Sequence, residues 1–281
     1  MASLDKQERG LSAIFVRTST AVLIGLAFIG AILFGRYLGL AVVISIVATM
    51  AVAEFYALSR QERRLPNEIF GWAAVASMPI AAAAYGAFGL TAVVSMLVIA
   101  SLLWHLLFRQ VRATDTAITV FGAVYIGFTL SHFVLIRQLD AGTELALATI
   151  FSVWVNDIFA YLVGSTIGRH KMAPRISPNK SWEGFAAGTV FTIGVWVAVY
   201  FLASTGLSLR AHIMVGIAAS VAAVVGDLAE SRLKREAGVK DSGRALPGHG
   251  GFLDRFDSLT LVSIVTYYML LIGGATVGGP L

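Results

Sequence analysis

Cysteine is absent from the 281 residues, which excludes a disulfide framework and leaves the redox compartment open. Charge is scarce, with Asp, Glu, Lys and Arg together at 13%. The run from Ile69 to Phe108 contains no Asp, Glu, Lys or Arg. Hydrophobic residues make up 57% and the mean hydropathy is +0.80, above the range of soluble domains. These shortages point to an all-α, polytopic integral membrane protein. The net charge of +5 raises the question of nucleic acid, but the placement of the cations argues against it. No cleavable leader is expected, because a charged, amphipathic start is followed by a full-length apolar span. With no internal repeat and no low-complexity linker, residues 1–281 read as a single integral domain.

Bilayer thickness demands about 17–25 apolar residues per helix, and the hydropathy pattern predicts nine such spans. Their cores are 18–35, 38–58, 69–87, 90–108, 117–136, 145–167, 185–204, 211–231 and 258–276. Only Tyr85-Gly86-Ala87-Phe88-Gly89 separates the third from the fourth. Of the 21 Lys and Arg residues, eighteen then fall on the side of the N-terminus and three (Arg36, Arg137, Arg210) on the other. Such asymmetry predicts a cytoplasmic N-terminus and an outside C-terminus. Both long charged loops would face the cytoplasm, and a bacterial inner membrane is the expected location.

The charge that exists is concentrated. Between Asp227 and Asp257 stand Asp227, Glu230, Glu236, Asp241, Asp254 and Asp257, interleaved with Arg232, Lys234, Arg235, Lys240, Arg244, Arg255 and His249. If the preceding helix continues, Asp227, Ser231 and Lys234 share one face at i, i+4 and i+7. A carboxylate and a hydroxyl so spaced suit a hard cation such as Mg2+, which takes one or two carboxylates and completes its shell with water and phosphate oxygens. Leu246-Pro247-Gly248-His249-Gly250-Gly251 cannot be regular helix, and its glycines permit a ligand to approach the main chain. Asp254-Arg255-Phe256-Asp257 adds two carboxylates where the chain re-enters the membrane.

The pattern Asp227-x-x-x-Ser231-x-x-Lys234-Arg235, Lys240-Asp241, Pro247-Gly248-His249-Gly250-Gly251-x-x-Asp254-Arg255-x-Asp257 resembles the signature of the phosphatidate cytidylyltransferases. The region of Asp157 and the run Lys171-x-Ala173-Pro174-x-Ile176-Ser177-Pro178-Asn179-Lys180-Ser181-Trp182-Glu183-Gly184 are similar to the same family. Arg17-Thr18 is a weaker echo, and the resemblance covers roughly residues 155–260. It implies transfer of a cytidylyl group from CTP to phosphatidic acid, giving CDP-diacylglycerol and pyrophosphate for phospholipid biosynthesis. It also implies Mg2+ with room for a second cation, and allows for a homodimer.

On this reading Asp227, Ser231 and Asp254 hold the metal. Asp157, Lys180, Asp241 and Asp257 are the catalytic candidates. Ser181, Glu183, Lys234, Arg235, Lys240, His249 and Arg255 are expected to bind substrate, with Lys234 and Arg235 on CTP. Each has a plainer alternative. An intramembrane Asp157 is costly and usually faces a polar cavity or a partner, but it also serves as a hydrogen-bonded structural aspartate. Loop cations near anionic lipid need no further role. Glu54 is expected to pair with an arginine, and His105, His132 and His212 are given no role. Intramembrane carboxylates and glycine-broken helices also suit a transporter of anionic solutes, but its charges would not all cluster on one side. The Asp-x-x-Asp-Gly-x-x-Ala-Arg run of the CDP-alcohol phosphotransferases is absent.

Overall fold

The computed structural model describes residues 22–243, 245–246 and 250–278. Arg17, Thr18 and His249 lie outside these. The chain is a bundle of apolar helices: α1 (Val22–Phe34), α2 (Arg36–Gln61), α3 (Glu68–Leu107), α4 (Ala113–Gly122), α5 (Thr129–Arg137), α6 (Gly142–Ile167), α7 (Trp182–Leu202), α8 (Leu209–Glu236) and α9 (Leu253–Ile272). A π-helical turn, Ala123–Phe128, joins α4 to α5 without a break in direction of the chain's hydrogen bonding. Seven of these rods, with α4–α5 counted as one, are long and apolar enough to cross a membrane, and α1 is shorter. Helices dominate because every buried backbone N–H and C=O must find a partner within its own segment in a hydrocarbon solvent.

The forty residues of α3 would reach about 60 Å if straight, twice the hydrocarbon thickness. They do not run straight. Gly86, at φ 60° and ψ −148°, interrupts the helix in a conformation that side chains resist. The Phe70 and Trp104 rings, near opposite ends of α3, then meet with centroids 5.6 Å apart. The element is therefore a helical hairpin, divided within the Tyr85–Gly89 segment that the sequence marks. Carbonyls one turn before the break receive the Gln138 side-chain amide, which donates to Ala82 O at 3.0 Å and Ala83 O at 2.9 Å. Its neighbour Arg137 donates to Ile32 O at 3.1 Å, beside the α1–α2 junction.

Two groups of helices form, and α9 joins them. In the first, α2, α3 and α5 pack around buried Leu40, Ile44, Met78, Ile126 and Leu130. In the second, α6 packs on α7, α7 on α8 and α8 on α9. Helix α9 also lies against α5, and Phe256 in its first turn stacks on Phe28 of α1 at 5.2 Å.

Two differences from the sequence reading bear on the site. Between α6 and α7 the chain forms a small antiparallel hairpin, β1 (Lys171–Ala173) with β2 (Ser177–Ser181), where no strand is expected. Polar residues outside the apolar core can pair this way because water satisfies their free edges. Secondly, α9 starts at Leu253 rather than near 258, so Asp254, Arg255 and Asp257 lie in its first turns, not in a loop.

Candidate active site

Helix α8 continues past its apolar part to Glu236, so Asp227 and Ser231 do share a face, and Ser231 Oγ donates to Asp227 Oδ1 at 3.1 Å. One residue earlier, Gly226 lets α9 approach without an intervening side chain: a Cβ there would lie 2.6 Å from the Asp257 carbonyl oxygen. The close crossing sets Asp227 near Asp257. From the hairpin, Lys180 reaches in and places Nζ 2.5 Å from Asp227 Oδ2.

Asp157 on α6 completes this group. The neighbouring Asn156 is buried and accepts a hydrogen bond from Ser220 Oγ of α8 at 2.9 Å, which fixes the rotation of α6. Asp157 then interacts electrostatically with Asp227, Lys180 and Arg255, and Asp257 with Asp227, Glu230 and Asp157. Asp157 is exposed because it faces open space on two sides. On one side is a cavity of about 550 Å³ between α1, α6 and α9, with apolar walls including Leu26, Phe28, Trp154 and Leu259 and a polar end made by Asp157, Asp254, Arg255 and Asp257. On the other is a cavity of about 230 Å³ beneath the hairpin, bounded by Asn179, Lys180, Tyr161 and Asp227. Among the described residues, Asp157 alone belongs to both linings.

Asp254 occupies a different setting from the one expected of a partner to Asp227. Its Oδ1 accepts from Lys234 Nζ at 2.7 Å, and its Oδ2 from Ser242 N at 2.9 Å, Ser242 Oγ at 3.0 Å and Gly251 N at 2.8 Å. Lys234 also pairs with Glu230 Oε2 at 2.6 Å. Its side chain is 12% exposed and Glu230's is 0%, so Lys234 serves as counter-ion to two carboxylates, one of them fully buried. Arg235 turns away and donates to Val239 O at 3.2 Å, closing the C-terminal end of α8.

The remaining residues separate into supports and surface groups. Ser181, 4% exposed, caps α7 by accepting from Gly184 N at 3.2 Å. It starts that helix and also borders the cavity beneath the hairpin. Glu183 accepts from His170 N at 3.2 Å and pairs with His170 Nδ1 at 2.6 Å, tying α7 to the base of the hairpin. Lys240 and Asp241 are exposed on the loop after α8. Arg255 is exposed on the first turn of α9 and lines the larger cavity. His132 bonds Phe128 O at 2.8 Å and His212 bonds Ser208 O at 3.0 Å, both far in sequence from the acidic group.

Sequence reasoning missed Glu230, although its i, i+4 spacing to Lys234 is the usual signal of a helical ion pair. It also misassigned Glu54, whose partners are a serine hydroxyl and backbone amides of residues about 190 positions away rather than an arginine.

Among the described residues no group of three or more His, Asp or Glu side chains is placed to hold a metal ion. Asp157, Asp227 and Asp257 nevertheless put three carboxylates in one field, with Lys180 paired to one of them and Arg255 beside another. Such a surplus suits an open site in which one or two carboxylates hold a hard cation and water or phosphate supplies the other oxygens.

The chain is similar in sequence to several proteins named phosphatidate cytidylyltransferase. The chain is 41% identical over 149 residues to a phosphatidate cytidylyltransferase of Bacillus subtilis (strain 168), covering 53% of this chain and 55% of the relative. A phosphatidate cytidylyltransferase of Thermotoga maritima is 40% identical over 168 residues, 58% of this chain and 62% of the relative. One from Staphylococcus haemolyticus is 40% identical over 148 residues, 53% and 56% respectively. The chain thus spans a little over half the length of the curated relatives it matches. A broader match comes from the profile of the Cytidylyltransferase family, which extends over residues 15–272 and takes in α1 to α9 together with the whole acidic group. By that extent the chain belongs to the cytidylyltransferase family.

Proposed function

We propose that this protein transfers a cytidylyl group from CTP to phosphatidic acid, releasing CDP-diacylglycerol and pyrophosphate. The observation that carries the reading is the junction at Asp157 of two cavities, one against α1 and one beneath the hairpin that carries Lys180. One substrate has two acyl chains and one phosphate, and the other is a water-soluble triphosphate. The apolar cavity beside α1, where Val22 and Leu26 are exposed on the outer face of the bundle, suits the lipid. The cavity beneath the hairpin, which Asn179, Lys180 and Asp227 border, suits the phosphates of the nucleotide.

In the reaction a phosphate oxygen of phosphatidic acid forms a bond to the α-phosphorus of CTP, and the bond from that phosphorus to the bridging oxygen breaks with pyrophosphate as leaving group. A phosphate monoester is already an anionic nucleophile near neutral pH, so positioning and charge neutralisation are the main demands. Lys180 and Arg255 are cations that line the two cavities beside the junction, and charge-assisted contacts from them would hold phosphate oxygens in place. The apolar walls keep water from competing for CTP.

Three carboxylates facing two polyanions would repel them unless a cation intervened. Asp227, with Ser231 on the same face, and Asp157 or Asp257 would hold Mg2+, which when bound neutralises charge on the phosphates. Asp254 joins this set only when Lys234 gives up its oxygen. Nine membrane crossings, the N-terminus and the acidic group on the cytoplasmic side of a bacterial inner membrane, complete the proposal. It is supported by the charge asymmetry of the loops and by counting α1 and both arms of α3 as separate rods.

The test is purified protein in detergent with CTP, phosphatidic acid and Mg2+. Pyrophosphate released in equal amount to CDP-lipid, and only when both substrates are present, is the expected result. Absence of CDP-lipid under these conditions would overturn the proposal.

A further inference from the structure

Glu54, on α2 in the half of the chain without the acidic motifs, reaches the other half with its carboxylate. Oε1 accepts from Phe252 N at 3.0 Å, and Oε2 accepts from Leu253 N at 3.0 Å and Ser242 Oγ at 2.8 Å. Phe252 is the residue before α9 and has no side chain able to cap it. The first amides of a helix lack partners within it and carry a partial positive charge. Glu54 supplies the missing acceptor from a different helix. The fit leaves no slack on the loop: a Cβ on Gly243 would lie 2.6 Å from Glu54 Oε1, and one on Gly251 would overlap Oε2.

Ser242 extends the contact to Asp254. Its Oγ lies 2.8 Å from Glu54 Oε2 and 3.0 Å from Asp254 Oδ2, and a hydroxyl has one proton to donate between two carboxylates. Glu54, Ser242, Asp254, Lys234 and Glu230 therefore form a continuous line of polar contacts from α2 through the loop to α9 and α8. Displacing any of the first three shifts the start of α9, and that turn supplies Asp254, Arg255 and Asp257 to the polar end of the larger cavity.

We infer that Glu54 is a positioning residue that sets the first turn of α9 against the lipid-facing cavity, and so determines how well the enzyme holds the phosphate of its lipid substrate. The inference rests on the cytidylyltransfer reading above. A merely structural residue would lower the amount of active protein and leave both KM values alone. A positioning residue acting through the larger cavity shifts the lipid KM.

The experiment compares wild type, Glu54→Gln, Glu54→Asp and Ser242→Ala in detergent micelles, with phosphatidic acid and CTP varied independently and Tm recorded. Glutamine keeps the size of Glu54 but presents an NH2 group to donors that need an acceptor. The KM for phosphatidic acid should rise about tenfold in Glu54→Gln and less in Ser242→Ala, with the CTP KM changed by no more than about twofold. Glu54→Asp, which keeps the charge, should recover part of the loss. Unchanged lipid KM in both Glu54→Gln and Ser242→Ala would overturn the inference, whether or not Tm falls. A wild-type protein that makes no CDP-lipid would instead overturn the reading on which the inference rests.

Discussion

Lys180 and Asp227 meet at 2.5 Å, joining a hairpin after α6 to a helix that begins some thirty residues later. The pair closes one side of the cavity beneath the hairpin, next to Asp157. It shares that space with one further carboxylate, Asp157, and its lysine is the cation in that lining through which an incoming phosphate can be drawn to the junction.

Lys180→Ala should therefore slow turnover by about ten- to a hundredfold, the range expected when a charge-assisted contact of about 1.5–3 kcal/mol is lost. Lys180→Arg should retain more of the rate than Lys180→Ala. Steady-state kinetics on both variants checks this, and equal loss in the two would deny a role for the charge.

Asp227→Asn should lower the rate about a thousandfold or more if Asp227 supplies a metal oxygen, because several kcal/mol of charge stabilisation disappear. A Mg2+ titration at saturating substrates distinguishes this from misfolding when Tm in detergent is recorded alongside. Wild-type activity across the titration would remove Asp227 from the metal site.

Lys234→Met leaves Glu230 buried without its counter-ion. Breaking such a pair from one side costs about 3–5 kcal/mol, so the variant should unfold at markedly lower temperature. Adding Glu230→Gln should restore much of the stability, since the uncompensated charge is then gone. The measurement is thermal unfolding in detergent, and an unaffected Lys234→Met would show that the pair contributes little.

Gln138→Ala removes the donor that serves the Ala82 and Ala83 carbonyls at the bend of α3. Loss of a buried hydrogen-bond partner costs about 1–3 kcal/mol. Tm should fall while both KM values stay put, because the bend lies apart from Asp157 and its two cavities.

Much of this architecture was legible because apolar length is a strong signal, and the position of the bend in α3 was readable from a single glycine-flanked segment. The Asp227–Ser231 face followed from helical spacing alone. Other features depended on contacts that no local pattern encodes. Nothing near Asp254 announces that Ser242 and Gly251 will turn their amides toward it, or that Lys234 will pair with it. Ser181 matched a motif, and only the folded chain reveals that it caps α7 while bordering the cavity beneath the hairpin. Glu54 stood out as a charge in an apolar run, but its partners lie at the far end of the chain, beyond the reach of any periodicity. Asp157 was flagged for the same reason, and only the folded chain reveals that it faces two cavities at once.

The central claim is that the lipid phosphate and the α-phosphorus of CTP meet beside Asp157. The most direct measurement follows radiolabel from CTP into lipid, using purified wild type and Asp157→Asn with phosphatidic acid and Mg2+. Label placed on the α-phosphate should appear in the lipid fraction, label on the γ-phosphate should appear only in pyrophosphate, and Asp157→Asn should lose most of the transfer while remaining folded. Label from the γ-phosphate in lipid, no label in lipid from either position, or undiminished transfer by Asp157→Asn would contradict the account.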